Sequence, residues 1–343
     1  MSFDNAAADD AYEALIDHDD DARWAYGTGF ADPLAGVSTD LPPDVDRDDL
    51  VLYCLMLGDD ALIMSHRLQQ WVTRAPELED ELAIANLGLD LLGQARLLLA
   101  RAGEVEGAGR GEDALAYLRD PDEFRNVRLA ERADGDFARL VARLLIFATW
   151  RLALLDRLTA SRDPVLAAIG AKGVKELTYH REWAAQWVVR LGDGTELSHE
   201  RMQSAIDAVA PLTGELFHPH EVELRLSAAG FAVDPSLLRP EFDAVLDHVL
   251  RTATLRPPPP VSPTGPVGGA GGLGPAGVSV GSAESPVGGA GGSGLAGEPA
   301  GQSAAGRVAG ADRLGRGGVH GPELAEILAE MQGLARSLPG SVW

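Results

Sequence analysis

The amino-acid sequence predicts an all-α protein built on a four-helix bundle. Three observations carry that expectation. Between residues 48 and 218 apolar residues recur at helical spacing, and no alternating strand pattern of useful length appears. Capping residues and prolines stand where four long segments begin. A longer connection separates the second segment from the third, and the other neighbours are joined by short turns, as in bundles of antiparallel helices.

The first helix is expected to open at Asp48 and Asp49 and to carry "LVLYCLMLGDDALIMSHRLQQWV" as far as the "RAP" at 74–76. The second starts around Pro76, where Glu77, Glu79, Asp80 and Glu81 suit a positive N-terminal end. It runs to about Arg101 and stops near Gly103. A short helix in "GEDALAYLRD" and an "FRN" segment cross over to the third, which Asp136 caps and which reaches about Ala160. Pro164 takes the first position of the fourth, which ends at "LGDG". A fifth runs from "SHERMQ" to "ELF", opened by a Ser198–Arg201 start that lacks the Glu of a full capping box.

Flanking this 47–256 helical domain are segments of other character. Residues 1–46 read as an acidic, mostly disordered arm in which Trp24, Tyr26 and Phe30 are docking candidates. Residues 257–318 read as a flexible low-complexity insertion, in which "PVGGAGGLGPAG" recurs as "PVGGAGGSGLAG". Residues 319–343 return to helix, with Leu324, Leu328, Met331 and Ala335 on one face that docks on the bundle or on a partner.

A formal net charge of −23 argues against nucleic acid or an anionic membrane as partner, since both repel an acidic protein. The single cysteine, Cys54, has apolar neighbours and reads as core, which suits a reducing cytosol. The N-terminus lacks the basic and apolar regions of a signal peptide. No stretch of about 18 residues is uniformly apolar. The expected location is therefore cytoplasmic, with no membrane span.

Chemistry is sought in the second helix, which is almost wholly apolar from Leu82 to Ala100 except for Asn86, Asp90, Gln94 and Arg96. The first three step by four and form one polar stripe. The fourth helix offers Lys172, Glu176 and His180 at the same spacing, and the first offers Asp59, Asp60, Ser65 and His66. Inward carboxylates and histidines are the raw material of a dinuclear iron or manganese site, which takes a Glu from each of two helices and a Glu-x-x-His from each of the others.

This chain lacks that set. Leu91 precedes Gln94, and Leu177 precedes His180, where each motif needs a Glu; Glu176 lies one residue too early, about 100° around the helix. The third helix, "FARLVARLLIFATWRLALL", holds no acid. The reading is a bundle whose metal site is filled in: Leu91, Gln94, Leu177 and His180 mark degenerate ligand positions. Asp60, Asp90, Lys172 and Glu176 are candidates for a polar core network, with Lys175 as a further cation. The competing readings are a di-iron or di-manganese oxidase with a non-standard ligand set of Asp60, Asp90, Glu176 and His180, and a ferritin-like storage or binding protein. "HPHE" at 218–221 is a loop histidine pair, read as exposed. Trp71, Trp150, Trp183 and Trp187 read first as core and second as interface.

The stretches "LGDDALIMSHRLQQW", "APELEDELAIANLGLDLLGQARLLL", "GEDALAYLRDPDEFRN", "SRDPVLAAIGAKGVKELTYH" and "GVHGPELAEILAEMQ" closely resemble the C-type structural subunit of bacterial phenylacetyl-CoA epoxidase. The resemblance covers roughly 40–256 and 319 to the C-terminus. It implies a ferritin-like fold and a non-catalytic place beside a homologous di-iron subunit that inserts oxygen into the ring of phenylacetyl-CoA. It also implies a small bridging subunit and a reductase carrying FAD, an iron–sulfur cluster and NADPH. No cofactor is implied for this chain.

Overall fold

A computed structural model of the chain describes residues 34–258 and 314–338. These residues form helices and turns, with no strand among them. Four long helices make the bundle: α1 (Arg47–Gln69), α2 (Leu78–Glu106), α5 (Phe137–Leu158) and α6 (Pro164–Gly192). Between α2 and α5 lie α3 (Glu112–Tyr117) and α4 (Arg128–Glu131). After α6 come α7 (Glu196–Val209), α8 (Glu221–Ala228) and α9 (Arg239–Thr252), and the last described element is α10 (Pro322–Ser337).

Side-chain contacts fix the register. Ser65 Oγ donates to Gly88 O at 2.6 Å, and Gly58 abuts Leu98 and Leu99, so α1 and α2 are antiparallel. Along α2 and α6 the pairs Asp80–Trp187, Asp90–His180, Gln94–Glu176 and Arg101–Asp163 follow in opposite order. Across α1 and α5, Arg151 reaches Leu57 O and Arg143 reaches the Met64 sulfur, again antiparallel. It follows that α2 and α5 run in the same direction. The chain must travel the length of the bundle between them, which is why residues 107–136 form the long connection. Two helix hairpins joined by such a crossover make the ferritin-like arrangement.

The helix ends differ from expectation where packing intervenes. Asp46, not Asp48 or Asp49, caps α1, accepting from Asp49 N at 3.0 Å, and the helix gives way to turns after Gln69. α2 passes through Gly103 and stops at Gly107, whose φ of 69° is left-handed. Gly103 is required for another reason: a Cβ there would stand 2.1 Å from Arg110 O, where the returning chain crosses. Asp136 and Pro164 open α5 and α6 as the sequence suggests. α7 starts at Glu196 behind a Thr195 cap, two residues before Ser198, and passes into a 3₁₀ segment at Ala210–Phe217. His220 of the "HPHE" loop serves as the cap of α8.

By length and hydropathy α2 would pass as a membrane span, but α1 and α6 pack along its inner faces. Residues 1–33, with Trp24, Tyr26 and Phe30, and residues 259–313 of the Gly/Pro-rich tract lie outside the described residues. The rest of the arm does not follow the disordered expectation: residues 34–46 lie on the bundle, with Thr39 O accepting from Arg101. The end of the tract is likewise corrected, because 314–318 are folded and Arg316 is buried. α10 docks on α1, α3 and α4 through Leu324, Ile327 and Leu328, with Met331 and Ala335 only partly covered. Trp150 is core, and Trp71, Trp183 and Trp187 gather around Phe137 at one end of the bundle.

Candidate functional site

The bundle centre holds a polar chain that runs through four helices. Leu91 and Leu177 are fully buried beside it. On α6, Lys172 is ion-paired with Glu176, and the other Glu176 oxygen accepts from Gln94 Nε2 at 2.8 Å. Gln94 Oε1 in turn accepts from Arg151 Nε of α5 at 3.0 Å. The same guanidinium donates to Leu57 O at 3.1 Å and lies 3.9 Å from Asp60 Oδ2 on α1. Asp60 also accepts from Val127 N at 2.8 Å and from both terminal nitrogens of Arg316 at 3.1 and 2.8 Å. Arg316 Nε stands 4.0 Å from Glu223 Oε1 on α8.

Three cations, Lys172, Arg151 and Arg316, thus face three carboxylates, Glu176, Asp60 and Glu223. Burial raises the Asp60 carboxyl pKa, opposed by Arg316 and Arg151, and burial likewise raises that of Glu223. Burial pushes Arg151 down to about 10. For Arg316 burial works against the charge, but Asp60 and Glu223 outweigh it and its pKa is raised. A buried charge persists only when paired and hydrogen-bonded, and the Arg316–Asp60 fork meets both conditions. Asp59 next door follows the same rule, clasped by Arg119 and by Arg125 N at 2.9 Å.

The predicted residues therefore separate into different contacts. Asp90 and His180 pair at 3.0 Å; His180 is buried, while the Asp90 side chain is 38% exposed. The stripe Asn86–Asp90–Gln94 runs from solvent to core, with Asn86 exposed and Gln94 buried. Lys175 is exposed. Asp60, Asp90 and Glu176 each have their own partners, and among the described residues no three His, Cys, Asp or Glu side chains gather as metal ligands. Sequence reasoning missed Arg151, Arg316 and Glu223. Arg151 had a signal: a guanidinium set among apolar residues at mid-helix, a feature it shares with Arg143. Arg316, in a Gly-rich stretch, had none.

Residues 35–270 match the family described as phenylacetic acid catabolic protein. The chain is also 39% identical over 296 residues to the C-type subunit of 1,2-phenylacetyl-CoA epoxidase from Escherichia coli (strain K12), covering 86% of this chain and 100% of that relative. On these grounds, and with a helical bundle to match, the chain belongs to the phenylacetic acid catabolic protein family.

Proposed function

We propose that this chain is a non-catalytic structural subunit of a multicomponent di-iron monooxygenase that epoxidises the aromatic ring of phenylacetyl-CoA. One observation carries the reading: Arg151 occupies the middle of α5, where a bundle metal site needs a carboxylate. A guanidinium has only donors and offers a metal no lone pair. Leu91 and Leu177 fill the Glu places of both Glu-x-x-His motifs, and Asp60 and Glu176 are already bound to cations. The residues present do not fit a di-iron or di-manganese centre, and no step of chemistry is assigned to them.

In this reading the metal belongs to a homologous catalytic subunit, and FAD, iron–sulfur and NADPH chemistry to a reductase. The cytoplasmic complex is completed by a small bridging subunit. This chain contributes a rigid bundle that binds and supports the catalytic one. The relative from the epoxidase supports membership of such a complex.

Two measurements test the proposal: elemental analysis of the purified chain from iron- and manganese-rich medium, and co-purification with the homologous subunit. The expected outcome is background metal and stable capture of the partner. About two iron or manganese ions per chain would overturn it, as would a chain that never associates.

A further inference from the structure

Arg316 reaches a core that was built 256 residues earlier. Besides its fork on Asp60 it donates to Met56 O at 2.9 Å and to Arg125 O at 2.8 Å. The backbone before it is pressed as closely: Gly315 N donates to Glu215 at 3.0 Å, and a Cβ on Gly315 would meet Asn126 O at 2.0 Å. Further on, His320 engages Glu131 at 2.9 Å and Phe124 O at 3.0 Å. α10 then buries an apolar face, and Gln332 Nε2 donates to Ala116 O and Arg119 O at 3.0 and 3.1 Å.

These are the components of an interface between separate molecules: a desolvated arginine anchor, an apolar centre and a polar rim. Every named partner lies in the 34–258 body, so none of the contacts depends on the chain being continuous between 258 and 314. Without the segment, Asp60 would be left with Arg151 at 3.9 Å as its cation, and Glu223 would lose its ion pair with Arg316.

We infer that Asp60 and Glu223 form a guanidinium-binding site in the bundle, and that residues 314–338 are a docking module that fills it with Arg316 and stays bound without chain continuity. The segment is thus a ligand carried in cis, and the same surface accepts it in trans.

The test uses the full chain with a specific protease site inserted between Gly292 and Ser293, folded first and then cut to completion. Expected is one species in size exclusion containing both fragments, with unchanged helical circular dichroism. Separation of the fragments, or loss of helicity on cutting, would overturn the inference. In the same cleavable chain Arg316→Ala should weaken retention of the C-terminal fragment by at least about 100-fold, in line with loss of an interface anchor. Methylguanidinium at millimolar concentration should restore part of the thermal stability of that variant. Undiminished retention would remove Arg316 as the anchor. If Arg316→Ala does not fold, Arg316→Lys gives the reading: it keeps the charge, loses the fork, and is expected to be retained more weakly than arginine.

Discussion

Arg151 ties α5 to α2 and α1, through Gln94 on one side and Leu57 O with Asp60 on the other. Replacing it with Met leaves Gln94 Oε1 without its donor, removes the additional donor to the helical Leu57 O, and leaves Asp60 with one cation fewer. The expected loss is about 3–5 kcal/mol, the range for breaking a buried charged contact, read from urea denaturation. Asp90→Asn should cost less, about 1 kcal/mol, because Asp90 is partly solvated while His180 is buried. In an assembled complex that substitution should leave turnover near normal; lost turnover at equal stability would count against a structural role. Asp90 and Gln94 are equally visible in the sequence as polar residues four apart. Their different fates depend on how α2 is rotated against α6, which periodicity does not specify.

Two glycines of α2 show how differently one residue type is used within an element. At Gly103 the crossover returns against the helix, and a Cβ would collide with Arg110 O. Gly103→Ala should therefore destabilise the protein by about 1–3 kcal/mol through overpacking. At Gly93 the nearest atom to an added Cβ is Lys172 Nζ, at 3.9 Å. Gly93→Ala should instead stabilise by up to about 1 kcal/mol, since alanine is the better helix former. Thermal melts of both variants check the pair, and equal effects would refute the distinction. From sequence Gly103 reads as a helix stop, because local rules know glycine as a terminator and not as a place of close approach. Asp136 and Pro164, whose roles are local, were legible at once.

Across the molecule, α1 and α10 meet near His66, where burial lowers the imidazole pKa from its ordinary 6.5, opposed by Leu62 O and the charge of Glu330. As pH falls through about 6.5 the unfolded chain takes up that proton before the folded one does. The stability contributed by neutral His66 is therefore present above about pH 6.5 and lost below it. His66→Gln should flatten the decline of urea midpoint between about pH 7.5 and 5.5. An unchanged slope would show that His66 is not responsible.

The sequence by itself determined the helical class, the four long helices, the long connection between the second and third, and the absence of a Glu-x-x-His pair. All of these rest on periodicity, capping and spacing, which act within one segment. Only the tertiary structure decided that Gln94 bridges Glu176 and Arg151, that Asp90 stays at the edge with His180, and that Arg316 neutralises Asp60 from the other end of the chain. A buried charge is tolerated only beside its counter-charge, and which charges become neighbours is set by helix rotation and chain return, neither of which has a local signature.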